Sequence, residues 1–294
     1  MRINPYPMPD LLAAIAQTEN QQTTALLELA SGRKINSPSD DPVGSAVLVQ
    51  NHDLSARDDS FLKSAGNVTG VLQSADSALG SAVSALQRAI SLGVEGGTGT
   101  LSDSDRTALA GEVTGIRDQI LSLANLSYDG RYVFAGTANV QPYVTDSSAP
   151  SGVSYKGNTS VNTVAIGNGY RIQINVPGSQ IFSGTGGDVF QSLSDLAAAL
   201  QNNSGIDTAV TAVTDAFNYV TAQRVFYGNA VNQITSQQTY LNSEKLQLSQ
   251  QEDTLAGADL SAVATQLVNA QNARTATLSA VGKISQLSLF DYLK

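Results

Sequence analysis

Apolar positions recur along most of this chain at steps of three and four, the spacing that lays side chains on one face of an α-helix. The longest stripe runs from Val210 to Leu255, where Val213, Val220, Tyr227, Ile234, Leu241, Leu248 and Leu255 stand seven apart without exception. A second series beside it, Val210, Phe217, Arg224, Val231, Gln238, Lys245 and Glu252, is apolar at first and polar later. Two interleaved series of this kind predict a helix with a coiled-coil seam, and a polar flank pins its register. Ala65, Val68, Leu72, Ala75, Leu79, Ala82, Leu86 and Ala89 predict a second long helix, closed by the turn from Gly93 to Gly99. Leu109, Val113, Ile116, Ile120 and Leu123 predict a third, with Ser102 or Asp103 as its N-cap. A shorter helix carries Phe190, Leu193, Leu196 and Leu200.

Between about 137 and 187 the period changes to two. Tyr170, Ile172, Ile174 and Val176 alternate with Arg171, Gln173 and Asn175, as a half-buried strand does. Shorter runs at 153–155 and 163–166 predict further strands, so a small β module is inserted between helices. Prolines stop at Pro177, which leaves the last third free to be helical.

The chain ends carry stripes of their own. Leu11, Leu12, Ile15, Leu26 and Leu29 form one, interrupted by Thr18 and Gln22. Leu260, Val263, Leu267 and Ala270, then Leu278, Val281, Ile284 and Leu287, form another, followed by Leu289-Phe290-Asp291-Tyr292-Leu293. Chain ends stay disordered unless something ties them down. The two helices are therefore expected to pair with each other and then with neighbouring molecules. In an isolated chain, roughly residues 1–40 and 260–294 are expected to be mobile, since ordering costs about 1–2 kcal/mol per residue.

Composition removes whole classes of chemistry. The 294 residues include no Cys, no Trp and one His, which excludes disulfide scaffolds, thiol nucleophiles and Cys/His zinc or iron–sulfur sites. A net charge of -9 repels nucleic acid and anionic membrane surfaces, so no nucleic-acid partner is expected. Leu11–Ala16 ends in Ala-x-Ala, but this run is shorter than the roughly 7–15 apolar residues of a secretory core. No run approaches the ~20 residues of a membrane span, so no membrane insertion is expected.

Candidate catalytic groups do not converge in the sequence. His52 has acids nearby at Asp53, Asp58 and Asp59, yet no Gly-x-Ser-x-Gly elbow presents a nucleophile to it. The pairs Asp40-Asp41, Asp58-Asp59 and Asp103/Asp105 read as solvated caps, because adjacent side chains on a helix diverge. Gly96-Gly97-Thr98-Gly99 and Gly184-Thr185-Gly186-Gly187 lack the Lys-Ser/Thr of a phosphate loop and read as turns. The expectation is no enzyme, no cofactor and no metal.

One segment is specific. Leu29-Ala30-Ser31-Gly32-Arg33-Lys34-Ile35-Asn36-Ser37-Pro38-Ser39-Asp40-Asp41-Pro42-Val43-Gly44 closely resembles the loop after the first helix of the bacterial flagellin family. Its Ser-Pro-Ser-Asp-Asp-Pro version is similar to the hook–filament junction members of that family. Tyr128-Asp129-Gly130-Arg131-Tyr132-Val133-Phe134-Ala135-Gly136-Thr137 and the Ser288–Leu293 ending are similar to the same members. The Pro5, Pro7 and Pro9 of Met1–Pro9 depart from the pattern. Locally, Gly32 ends the first helix, Ser37-Pro38 keeps the chain extended, and Asp40-Asp41-Pro42 starts the next helix with acids at its positive end.

The resemblance implies a mainly α fold with an inserted β domain. Residues 1–42 with 258–294 would form a terminal coiled-coil layer, 43–136 with 188–257 a helical bundle, and 137–187 an outward β domain. It also implies a structural protein of the bacterial flagellum, exported by the flagellar type III apparatus and polymerised at the hook–filament junction outside the cell. Its partners would be further copies of itself, the first hook-associated protein, flagellin, and an export chaperone covering the C-terminal stripe. A flagellin is the alternative reading, and a secreted hydrolase or glycan-binding protein using the β insert is a remote one.

Overall fold

A computed structural model describes the backbone of residues 7–184 and 186–291, and the side chains of 8–184 and 186–283. Seven helices carry most of the described chain: α1 (Pro7–Ser31), α2 (Pro42–Gly96), α3 (Asp103–Ala124), α4 (Gly178–Ile181), α5 (Val189–Asn202), α6 (Ile206–Ala256) and α7 (Leu260–Asp291). Eight short strands lie between α3 and α5: β1 (Ser127–Tyr128), β2 (Arg131–Tyr132), β3 (Tyr143–Thr145), β4 (Val153–Tyr155), β5 (Thr163–Gly167), β6 (Tyr170–Gln173), β7 (Ser183–Gly184) and β8 (Gly187–Asp188). The chain divides into two compact units, one of Met1–Arg57 with Ser243–Lys294 and one of Asp58–Asn242. Both α2 and α6 supply residues to each.

In the larger unit the heptad stripes form the core. Every expected position of α2 from Ala65 to Ala89 is buried, with Leu72, Leu79 and Leu86 fully enclosed. Val113, Ile116 and Ile120 of α3 and Phe190, Leu193, Leu196 and Leu200 of α5 join the same cluster. On α6, Val213, Val220, Tyr227 and Ile234 are buried, while the parallel series Val210, Phe217, Arg224 and Val231 is half-buried. Its polar member has a partner. Arg224 donates two parallel bonds of 2.9 Å to the Asp76 carboxylate on α2, a fork that fixes one register and raises the guanidinium pKa further.

Helix starts are set by side-chain acceptors. The Ser102 hydroxyl accepts from the Asp105 amide and the Asp105 carboxylate accepts from the Ser102 amide, both at 3.2 Å, so Ser102 is the cap of α3. Asp188 caps α5 by accepting from the Phe190 and Gln191 amides at 2.9 Å.

The strands pair as four separate antiparallel hairpins, β1–β2, β3–β4, β5–β6 and β7–β8. Hairpins this short are marginal alone, so side chains must hold them. Phe134, Tyr143, Tyr155, Phe182 and Phe190 form a continuous ring cluster, with centroids 5.0–6.0 Å apart. Tyr143 donates to the Gly178 carbonyl at 2.8 Å, and its main chain is gripped at both polar atoms by the Asn125 amide, at 2.8 and 2.9 Å. Burial also pushes the Tyr143 phenol pKa well above its ordinary range. The expected strand from Tyr170 to Val176 stops at Gln173, because Asn175 turns inward. Asn175 is 5% exposed, accepts from the Asn162 amide at 2.6 Å and donates to the Gly136 carbonyl at 3.1 Å. A polar side chain with two such partners overrides the alternation.

Leu79→Ala should lower stability by about 2–5 kcal/mol, as truncation of a fully enclosed leucine does. Gln73→Ala, exposed on the same helix, should change it by less than about 0.5 kcal/mol. Denaturant unfolding of both variants checks this, and equal losses would mean that the stripe is misassigned.

Candidate functional site

The smaller unit is built around the 31–44 corner, and each residue type there has a local task. Gly32 takes a φ of +68°, which a side chain disfavours, and ends α1 with its amide on the Glu28 carbonyl at 2.8 Å. The chain then lies antiparallel to the α6–α7 connection. The Lys34 amide donates to the Ala256 carbonyl at 2.7 Å, the Ala258 amide donates to the Gly32 carbonyl at 2.9 Å, and Arg33 sits opposite Gly257. Ser31 Oγ accepts from the Arg33 amide at 3.1 Å. Ile35 closes the space beneath, buried with Leu48 and Ala256 and flanked by Leu255.

The two adjacent acids of this loop do different work. Asp40 turns back into the loop, where Oδ2 accepts from the Asn36 and Ser37 amides at 2.9 and 2.7 Å, and Oδ1 from the Ser37 hydroxyl at 3.1 Å. These donors stabilise the charged form and lower the Asp40 pKa. Asn36 Nδ2 donates to the Arg33 carbonyl at 2.7 Å. Asp41 is the cap of α2, accepting from the Val43 and Gly44 amides at 3.1 and 2.9 Å, with Pro42 as the first helical residue.

Two expectations need correction. Ser37-Pro38 is not extended but opens a turn closed by the Asp40 amide on the Ser37 carbonyl at 3.0 Å, with Pro38 in the second position that proline favours. Asp41 alone of the acid pair serves the helix start. Gly44 was not singled out as a site residue, although it closes the corner. A Cβ there would stand 2.5 Å from Asp41 Oδ2 and 2.7 Å from Ile35 Cδ1.

From this corner α1 and α7 run back antiparallel and pack on each other. Their buried contact residues are small: Thr18 and Ala25 on α1, Val263 and Ala270 on α7. Arg274 of α7 reaches Glu19 at 3.1 Å and Gln22 at 3.5 Å on α1. Leu11, Ile15, Leu267 and Val281 are half-buried. Leu12, Leu26, Leu29, Leu260 and Leu278 are exposed, Leu12 at 57% and Leu278 at 48%. The α1 seam thus runs through Thr18 and Gln22 instead of being broken by them, and most of its leucines face outward. Ile284, Leu287 and Leu289 lie on α7 with side chains outside the described residues, and Leu293 lies outside them altogether.

Among the described residues, His52 and its neighbouring acids have these surroundings. His52 Nδ1 is 3.9 Å from Glu252 Oε1, and Arg33 lies 4.0 Å from the same carboxylate. Among the described residues no group of three metal-ligating side chains converges. Gly184 and Gly186 pack closely against Tyr219, in a hairpin turn.

Residues 7–139 match the model of the bacterial flagellin N-terminal helical region. Over 301 residues the chain is 26% identical to flagellar hook-associated protein 3 of Escherichia coli K12, covering 91% of each. The chain is similar to flagellar hook-associated protein 3 along nine-tenths of its length. It is also 24% identical to a flagellin of Listeria innocua over 265 residues, 90% of this chain and 88% of that one. The flagellar junction protein FlgL of Legionella pneumophila superposes with a TM-score of 0.61 at 14% identity, over 72% of this chain and 100% of that one. The fold is flagellin-like, mainly helical with small inserted strand pairs.

Gly44→Ala should cost about 1–3 kcal/mol, because Ile35 and the α2 cap must give way together; thermal melting measures it. Asp40 carries a pKa lowered in the fold, so its contribution is fully present above the ordinary carboxylate value of 3.8 and is lost as pH falls through the folded one. Asp40→Asn should therefore melt below wild type at neutral pH, with the gap closing only below about pH 4. Parallel melting curves from pH 7 to pH 2 are the check, and a gap independent of pH would remove the charge argument.

Proposed function

We propose that this chain is a structural subunit of the bacterial flagellum that polymerises at the junction between the hook-associated proteins and the flagellin filament. The observation that carries the reading is similarity to flagellar hook-associated protein 3 along nine-tenths of both chains. The physical features of the smaller unit support it. The α1–α7 pair buries small side chains against itself and leaves Leu12, Leu26, Leu27, Leu260, Val268 and Leu278 exposed. Large apolar side chains left outward along a helix pair are commonly covered in the working state of a protein. Further copies of this chain, the first hook-associated protein and flagellin would cover it in the assembled axis, and an export chaperone before secretion. The working location is outside the cell, and no helix of the described residues is long and apolar enough to cross a membrane.

In this reading residues 1–42 with 258–294 are the assembly layer, 43–136 with 188–257 the bundle, and 137–187 the outward domain. The layer orders fully only on assembly, since a seam of Thr, Ala and Val offsets little of the entropy of two long helices. Limited proteolysis of the monomer should trim both ends and leave a core from about Val43 to Leu255. Full protection of both ends in a demonstrated monomer would contradict it.

A flagellin is the second reading, favoured by the Listeria relative. Electron microscopy of a deletion strain separates the two. Loss of filaments with flagellin shed into the medium marks the junction protein, whereas hooks retaining their junction proteins but lacking filament mark a flagellin. Assembly is separated from folding by Leu12→Asp combined with Leu278→Asp, both at exposed positions. The monomer should keep its melting temperature, while motility fails and flagellin accumulates unassembled. A monomer destabilised by several degrees would return these leucines to the folded core.

A further inference from the structure

Asparagines in and beside the hairpin region fall into two populations. Asn125, Asn158 and Asn175 are engaged in bonds that hold the fold, to Tyr143, Thr137 and Gly136 among others. Asn67, Asn139 and Asn162 extend side chains that make no hydrogen bond among the described residues, and so do the hydroxyls of Tyr128 and Tyr132. These five residues line one cavity of about 550 Å³. Its walls come from three places in the larger unit: Asn67 and Val71 on α2, the β1–β2 hairpin with both tyrosines, and the 136–139 segment facing Asn162. Asn175 and Ile174 form the base.

The cavity is held rigidly. Asn175, buried and bonded at both ends of its amide, fixes the floor to Gly136 and to the Asn162 main chain. Tyr128 is held against α2 at Gly70, where any Cβ would collide with its hydroxyl. The turn of its hairpin is pinned by Asp129 and Gly130, with φ of +50° and +73°.

The chemistry of the lining selects a ligand class. Its charged residues are Asp129 and Arg131, one of each sign, so nothing favours a phosphate, a nucleotide or a polycation. What remains is planar amides, each both donor and acceptor, beside phenol rings that offer an apolar face and a polar edge. That combination matches a pyranose, whose C–H face packs on a ring while its hydroxyls pair with amides. The volume lies within the about 300–1,000 Å³ of small-molecule sites. We infer that the cleft between the β1–β2 hairpin and α2 binds a short neutral oligosaccharide through Asn67, Asn139, Asn162, Tyr128 and Tyr132. This goes beyond the structural role proposed above and does not depend on it.

The test uses the intact protein, labelled with nitrogen-15 and titrated with chitotriose, maltotriose and cellotriose in separate experiments. At least one sugar should shift the side-chain amide signals of Asn67, Asn139 and Asn162 saturably, at millimolar concentration. Asn67→Ala and Asn139→Ala, both at exposed positions, should weaken that binding at least tenfold with melting temperature unchanged. Glucuronic acid trisaccharide serves as a charged control and should bind no better than the neutral sugars. Absence of saturable shifts with all three neutral sugars overturns the inference. Binding that survives both substitutions, or that shifts signals elsewhere only, overturns it as well.

Discussion

The smaller unit depends on two main-chain hydrogen bonds, Lys34 to Ala256 and Ala258 to Gly32, which join two corners remote in sequence. Helices α1 and α7 leave those corners, so where the corners meet decides how the helices lie. Arg33 sits opposite Gly257, and further along the pair Glu19 stands opposite Arg274. Each step back along α1 is answered by a step forward along α7, which is an antiparallel register set at the corner and confirmed by the ion pair. Exposed ion pairs contribute little energy, so Arg274–Glu19 reads the register more than it enforces it. Enforcement falls to the backbone bonds and to Ile35, whose burial with Leu48 and Ala256 keeps water away from them.

Much of the larger unit was legible in the sequence, and the reason is physical. Positions seven apart on α6, and the alternating steps on α2, α3 and α5, are apolar residues with one face to hide, and periodicity reports that directly. Arg224 belongs to the flanking series whose polar members are expected to pin the register. Its partner Asp76 lies on another helix, and no spacing rule connects the two. The ring cluster of the hairpin region was not visible for the same reason. Phe134, Tyr143, Tyr155, Phe182 and Phe190 are brought together by turns, and nothing in their separations marks them as neighbours.

The terminal helices misled in a more informative way. A stripe drawn through leucines places Thr18 and Gln22 as faults, yet Thr18 is among the buried residues of α1 while Leu12, Leu26 and Leu27 face out. Hydrophobic periodicity assumes that the largest apolar side chains face the chain's own core. Where they do not, the inversion is itself the signal. It leaves the strongest apolar face of the helix uncovered by the chain itself, which is what the proposed assembly role requires.

The recognisable string from Ser31 to Gly44 is held together largely by contacts of its own. Gly32 supplies a backbone conformation, Asp40 and Asn36 close the loop on itself, Asp41 caps a helix, and Gly44 leaves room for Ile35. Each polar side chain of this set is engaged within the loop or at the helix start, and none is held in reserve. What the string determines is geometry: a corner of fixed shape, from which α1 and α7 emerge paired, with small residues inside and leucines outside. A motif built of internal contacts tolerates little change, whereas outward leucines can shift along a helix face and keep their apolar character. The loop accordingly sets the geometry of the corner, and in the function we propose it is the plainer helices beside it, with their exposed leucines, that carry the surface on which assembly acts.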